Sequence, residues 1–197
     1  MIKRVFDLIF SLFGILLLSP LLLLIAIAIK LDSKGGPLFL QSRVGLNNQD
    51  FTMYKFRTMY VDSNQDLLLT IGDKDSRITK FGSVLRRMKL DELPQLFNVL
   101  IGNMSLVGPR PEVRKYVDLY NDTQRQILSL KPGITDYASI AYSNESELLL
   151  RASDAEKEYT ENILPSKIEL NMKYINEQGI FTDIKILGLT LKKILFK

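Results

Sequence analysis

The sequence contains neither cysteine nor histidine. Those two absences remove disulfides, thiol nucleophiles, the usual zinc sites and imidazole acid–base chemistry together. Any catalysis must therefore rest on Asp, Glu, Lys, Arg, Ser, Thr or Tyr. Among reactions that manage with carboxylates and cations, phosphoryl transfer with magnesium is prominent, because most of its catalysis is placement of charge. No internal repeat is visible, and 197 residues suffice for one domain of ordinary size with a short appendage. Apolar residues are in excess: 46% of the chain is hydrophobic and mean hydropathy is +0.06 despite 24% charged residues. A net charge of +4 with a pI near 9.2 suits an anionic partner, whether lipid headgroups, a phosphorylated substrate or nucleic acid.

The apolar excess is concentrated between Val5 and Ile29, where only Asp7, Ser11, Gly14 and Ser19-Pro20 interrupt it. The run is long enough to cross a bilayer. A signal peptide fits poorly, since Lys30 follows directly and no small-residue cleavage site is evident. Pro20 frees the carbonyl of Leu16 and bends a helix, and the Ser19 hydroxyl can offer a local partner. Lys3 and Arg4 precede the run and Lys30 and Lys34 follow it, so the positive-inside bias chooses neither end. From the residues alone, a single span and a re-entrant helix returning to the same face stay open together.

Beyond Gly35-Gly36-Pro37, Leu38–Gly45 and Phe51–Met59 flank a polar turn and read as a β-hairpin. Alternation places Phe51, Met53, Lys55 and Arg57 on one face, where two cations could grip phosphates; a solvated sheet face is the plain alternative. Asp62–Ser76 reads as loop with a short helix. Thr79–Lys89 has helical spacing and carries Lys80, Arg86, Arg87 and Lys89 toward the next segment.

In that segment, Lys89 to Pro111, Asp91 is expected to N-cap a helix with Pro94 in its first turn and Gly102 as its stop. Two adjacent carboxylates, Asp91 and Glu92, at the positive end of a helix suit a carboxylate nucleophile beside a magnesium ligand, although capping alone explains them too. Pro109 and Pro111 restrict the backbone around Arg110, which lowers the entropy lost when its guanidinium clamps an oxyanion. Glu112–Leu130 reads as a helix, Ile134–Tyr142 as short and mixed, and Glu145–Gln178 as helical. Ile180, Ile184, Leu187, Leu191 and Ile194 form an apolar stripe beside Lys185, Lys192 and Lys193, suited either to a membrane surface or to a core.

Taken together these segments resemble the bacterial sugar transferases known as monotopic phosphoglycosyl transferases. Matching stretches, in order, are Arg4–Asp7, Ser19-Pro20, Gln41–Gly45, Tyr54–Met59, Leu90–Leu96, Met104–Pro111, Lys131–Thr135 and Asp183–Ile186. The resemblance implies an α+β, mostly helical fold. A re-entrant membrane helix over residues 1–31, broken at Ser19 and Pro20, would precede a cytoplasmic catalytic domain over 32–197. That domain would carry a short β-hairpin and interfacial amphipathic helices, the last at about 180–197. It further implies transfer of a phosphosugar from a UDP-sugar to polyprenyl phosphate, usually undecaprenyl phosphate, with release of UMP, at the cytoplasmic face of the bacterial inner membrane. Asp91 would be the nucleophile and Glu92 a ligand of Mg²⁺. Lys55, Arg86 and Arg110 would lie close to the phosphates, with Arg57, Pro111 and Asn144 meeting substrate. The chain looks like the small, minimal form of the family. Membrane lipid is an expected partner, nucleic acid is not, and a homodimer is left open.

The sequence departs from the family pattern after Lys131–Thr135. Many relatives continue with Gly-Trp-Ala-Gln-Val-Asn-Gly-Arg-Asn where this chain has Asp136–Asn144, so Ser143 replaces an arginine, and Asn171 replaces a later aspartate. The donor sugar is therefore not carried over. Two other functions fit the same residues: a membrane-bound phosphohydrolase that gives its intermediate to water, and a non-catalytic anchored scaffold of a glycan assembly complex.

Overall fold

A computed structural model of the chain describes residues 2–61, 63, 69–72 and 75–196. The apolar run forms one helix, α1 (Ile2–Asp32), that contains Pro20. The Ser19 hydroxyl donates to the Leu16 carbonyl at 2.8 Å, the group that proline leaves without its helical donor. At 1.5 Å per residue α1 is roughly 46 Å long, enough to cross a hydrocarbon core of about 30 Å. Leu12, Phe13, Leu16, Leu17, Leu23 and Leu24 along its middle are exposed.

Both ends of α1 are nevertheless held by the same globular body. Near the start, Lys3 pairs with Asp183 and donates to the Val107 carbonyl at 3.0 Å. Arg4 takes the carbonyls of Val99 and Leu100 at 2.6 and 2.9 Å, and Asp7 accepts the Leu106 N–H at 3.0 Å. Near the finish, Leu22, Ile25 and Ile29 are buried against Phe56 and Leu85. There the Arg57 guanidinium caps the helix, donating to Ser33 O at 2.9 Å, to Ile29 O at 3.4 Å and to Lys34 O.

The expected hairpin pairs β1 (Leu38–Val44) with β2 (Asp50–Phe56), antiparallel, from Leu38 opposite Phe56 to Val44 opposite Asp50. Its alternation stops at Phe56, and this corrects the face assigned to Arg57: the residue leaves the strand and turns to the end of α1. α2 (Lys80–Arg87) is N-capped by Thr79, whose hydroxyl accepts from Gly82 N–H at 2.9 Å. The short helix expected in Asp62–Ser76 falls mainly on residues 62, 64–68, 73 and 74, outside those described.

Asp91 does not cap the next helix. Leu90–Glu92 is a separate 3₁₀ turn entered through Lys89 at a φ of 57°, and α3 (Gln95–Ile101) begins only after Pro94. Gly102 ends α3 at a φ of 99°, as its position predicts. β3 (Ser105–Val107) follows and pairs in parallel with β4 (Gly133–Thr135). The chains pass so closely there that a Cβ on Gly133 would collide with the Gly108 backbone.

The helix expected over Glu112–Leu130 is instead two short pieces, α4 (Arg114–Val117) and a 3₁₀ stretch at Gln124–Ser129. Asn121 and Gln124 exchange side-chain-to-backbone bonds at 2.9 Å each, a reciprocal box that starts a new turn and competes with continuation. After α5 (Tyr137–Ala141) come α6 (Glu145–Arg151), α7 (Ala155–Glu158), a π turn at Tyr159–Ile163 and α8 (Leu164–Glu177). These pack with Tyr116, Val117 and Ile127 into one core, while a second core joins Met53, Val99, Met104, Val107, Tyr174 and Ile186.

α9 (Ile180–Leu195) closes the fold. Its buried positions are Asp183 and Ile186. The apolar stripe mostly faces outward, with Ile184, Leu191 and Ile194 at 52%, 60% and 40% exposure. Core packing therefore does not explain that stripe.

Removing the cap on α1 tests how firmly its C-terminal end is held. Arg57→Ala is expected to cost about 2–3 kcal/mol, the net worth of a charged donor's hydrogen bonds to the helix-end carbonyls. That loss should appear as a fall of roughly 5–10 °C in the thermal midpoint of the detergent-solubilised protein.

Candidate active site

Three segments converge on one carboxylate oxygen. Lys55 Nζ, from β2, donates to Glu92 Oε1 at 3.0 Å, and Arg110 Nη2, from the loop after β3, donates to the same oxygen at 2.7 Å. Each segment is fixed by backbone chemistry. β2 is pinned to α3 by the buried Asn98, whose side chain accepts from Tyr54 N–H at 2.9 Å and donates to Thr52 O at 2.7 Å. The Arg110 backbone N–H donates to Asp136 Oδ2 at 3.1 Å, and the adjoining Pro109 carbonyl accepts from Gly133 N–H at 2.9 Å. Asp136 also N-caps α5 by accepting from Ser139 N–H at 2.6 Å. Burial raises the Asp136 carboxyl above the ordinary aspartate range, a shift opposed by these bonds and by Arg110.

The two adjacent acids are pushed apart electrostatically. Burial alone would raise Glu92, but the charges of Arg110 and Lys55 hold it well below the usual glutamate range. Asp91 is raised, first by burial and then by the Glu92 charge, with Lys55, Arg86 and Lys89 opposing. Lys55 is lowered by burial, which Glu92 only partly offsets, and Arg110 is raised chiefly by Glu92. Asp91 is 9% exposed, and its Oδ1 is buried with no hydrogen-bond partner among the described residues. Buried carboxylate oxygens normally have one.

Asp91, Glu92, Lys55, Arg86 and Arg110 all line one cavity of about 790 Å³. Arg86 is steadied there by Thr58 Oγ1 at 2.8 Å and Thr70 Oγ1 at 3.2 Å. Asn144 lines the cavity ahead of α6. Arg57 touches it as well, although the hydrogen bonds of its guanidinium run to the end of α1. Pro111 does not line it; its carbonyl accepts from Arg43 at 3.0 Å behind the wall. Ser143 is part of the wall, and Asn171 is buried in α8 outside it.

Sequence reasoning missed a second buried charge cluster on the same cavity. Lys167 Nζ donates to Glu112 Oε1 at 2.9 Å and Glu145 Oε2 at 3.1 Å, and Tyr159 donates to Glu112 at 2.8 Å. Arg43 lies 3.6 Å from the other Glu112 oxygen. Burial would raise Glu112, yet Lys167 and Arg43 keep it below its ordinary range. Burial would likewise lower Lys167, and Glu112 with Glu145 raises it instead. Lys167 sits 55 positions from Glu112, and no local spacing connects them.

A carboxylate pair ringed by cations, in one cavity of a fold that also carries a long exposed apolar helix, is a site built to meet negative charge. The chain belongs to the bacterial sugar transferase family, whose model matches residues 1–197. It is 43% identical to the undecaprenyl-phosphate glucose phosphotransferase of Komagataeibacter xylinus, over 98% of this chain and 36% of that protein. It is 37% identical to the UDP-glucose:undecaprenyl-phosphate glucose-1-phosphate transferase of Escherichia coli K12, over 98% of this chain and 40% of that one. To the uncharacterized sugar transferase EpsL of Bacillus subtilis it is 40% identical, over 98% of this chain and 87% of that protein. The chain thus spans well under half the length of the first two relatives.

The Glu112 cluster sets a pH dependence. A carboxyl depressed in the folded state stabilises the fold fully above its unfolded pKa, the ordinary glutamate value of 4.5, and that contribution is lost as pH falls through the lower folded pKa. Unfolding free energy measured by urea titration should therefore decline below this value, and Glu112→Gln should flatten that decline. Lys167→Met, which strands Glu112, is expected to cost about 3–5 kcal/mol.

Proposed function

We propose that this chain moves a phosphosugar from a UDP-sugar to undecaprenyl phosphate with release of UMP, through a covalent adduct on Asp91. The names of the Komagataeibacter and Escherichia relatives support the substrate classes. The observation that carries the covalent step is Asp91 Oδ1, a buried carboxylate oxygen in the wall of a charged cavity that has no hydrogen-bond partner among the described residues. In the first half-reaction that oxygen bonds to the sugar-bearing phosphorus, and the bond from this phosphorus to the bridging oxygen breaks, so UMP departs with the electron pair. In the second, an oxygen of the lipid phosphate bonds to the same phosphorus and the carboxylate is released unchanged. A soluble donor and a membrane-resident acceptor can then use one site in turn.

Glu92, fixed by Lys55 and Arg110, holds a permanent charge beside the nucleophile and keeps both cations where the diphosphate's charge must be met. Magnesium fits this donor set. Both cations bond to Glu92 Oε1, and among the described residues Glu92 Oε2 and Asp91 Oδ1 have no hydrogen-bond partner. Among the described residues no cluster of three acidic side chains could enclose a metal, which suits an ion that takes its remaining ligands from phosphate and water. When bound, Mg²⁺ supplies neutralisation of the diphosphate; Glu92 would be its protein ligand.

The same reading places α1 as a re-entrant helix, with the globular domain on the cytoplasmic face. A straight span would carry its two ends to opposite sides of the membrane, whereas Arg4 and Asp7 at one end and Ile29 at the other hold a single domain.

Incubation with a donor labelled at the sugar phosphate, without lipid, is expected to release one equivalent of UMP and leave label on Asp91; Asp91→Asn should abolish both. Continued lipid-independent UMP release at full rate would identify a phosphohydrolase, and transfer by the Asn variant would exclude the nucleophile. Arg110→Ala should lower transfer about 10²–10³-fold, the usual loss for a charge-stabilising group. For topology, single cysteines at Ile2 and Lys34, in a chain with no other thiol, should label from the same side of a sealed vesicle. Labelling from opposite sides would establish a span.

A further inference from the structure

Apolar side chains line the cavity beside the charged ones. Leu93 and Leu96 line it just beyond Glu92. Leu93 packs in the cluster built on Leu22, Ile25 and Ile29 of α1. A Cβ on Gly14 would lie 3.4 Å from Leu96, so this residue too rests against α1. These two lining residues thus rest against α1. Thr190, Lys193 and Ile194 of α9 line the cavity as well, on the helix whose Leu191 and Leu195 are exposed.

The last turns of α9 are held in place. Thr190 Oγ1 lies 2.7 Å from Thr135 Oγ1 and donates to Ile186 O at 2.8 Å, which ties α9 to β4. Lys193, three residues on, falls on the same helix face. It is exposed, and among the described residues it has no hydrogen bond or ion pair. Its neighbour Lys192 is exposed too but does not line the cavity.

We propose that Lys193 receives the phosphate of the polyprenyl phosphate acceptor at the membrane-side mouth of the cavity. This rests on the transfer reaction proposed above. A lipid phosphate must bring a doubly charged head to Asp91 while its tail stays in hydrocarbon. The cavity offers Leu93, Leu96 and Ile194 for the tail-proximal part, and of its cations Lys193 is the one carried by α9, where it has no protein partner among the described residues and can meet the head. Lys193 is thus a binding residue for the second half-reaction, and the donor is met by the polar end of the cavity around Arg110 and Asn144.

The two half-reactions separate the tests. Lys193→Met, assayed in nanodiscs with donor and a short-chain polyprenyl phosphate, is expected to raise the KM for lipid phosphate about tenfold or more, the loss of one charge-assisted contact. Lys193→Arg should restore most of it. Lipid-independent UMP release is measured on the same preparation, and its retention shows an intact fold and donor site. Lys192→Met is the control for general attraction to anionic membranes. An unchanged lipid KM in Lys193→Met overturns the proposal, and so does an equal rise in Lys192→Met. A matching fall in both half-reactions also overturns it, since that marks a structural role. Failure of the covalent mechanism itself shows separately, as absence of the UMP burst in the unsubstituted protein.

Discussion

An ionised carboxylate removed from water costs several kcal/mol unless cations and hydrogen bonds meet it, and Glu92 is met twice on a single oxygen. That constraint joins a strand, a 3₁₀ turn and a proline-flanked loop drawn from separate parts of the chain. Moving any one of them strands a charge in the interior. The arrangement also leaves the neighbouring Asp91 as the member of the pair whose charge is not fully answered, with its carboxyl raised while that of Glu92 is depressed. Divergence of two adjacent acids is what lets them take different roles.

Around that centre the cavity lining is mixed. It includes the Lys167, Glu112 and Glu145 network, polar and anchored through Tyr159. It also includes Leu93 and Leu96, which rest against α1. The β3–β4 pair is short and its work is local: it carries Arg110 out of one strand and Asp136 out of the other, and the two then bond. Glycines at 108 and 133 permit that approach.

What was legible in the sequence had a local signal. The uninterrupted apolar run gave α1, alternation gave the hairpin, Thr79 and Gly102 marked helix ends, and periodicity gave α9. The misreadings share a cause. Asp91 has the composition of a cap, yet the chain turns at Lys89 and spends three residues in a 3₁₀ turn first. Arg57 continues the alternation of β2 on paper, but the end of α1 offers three carbonyls and draws it away. Glu112 reads as the first turn of a helix and is instead the hub of a buried cluster. The parallel pair of three-residue strands was invisible because its evidence lies 26 to 28 positions along the chain, in pairs such as Val107 with Thr135 and Arg110 with Asp136.

The Lys3–Asp183 pair has a temporal side. Its partners are 180 positions apart, so at ribosomal speeds of about 5–20 residues per second roughly ten to thirty seconds separate their appearance. During that interval the apolar segment has already left the exit tunnel and can settle into lipid, while the lysine at its head still lacks its carboxylate. α9 thus supplies the carboxylate that fastens α1 only long after α1 itself has been made.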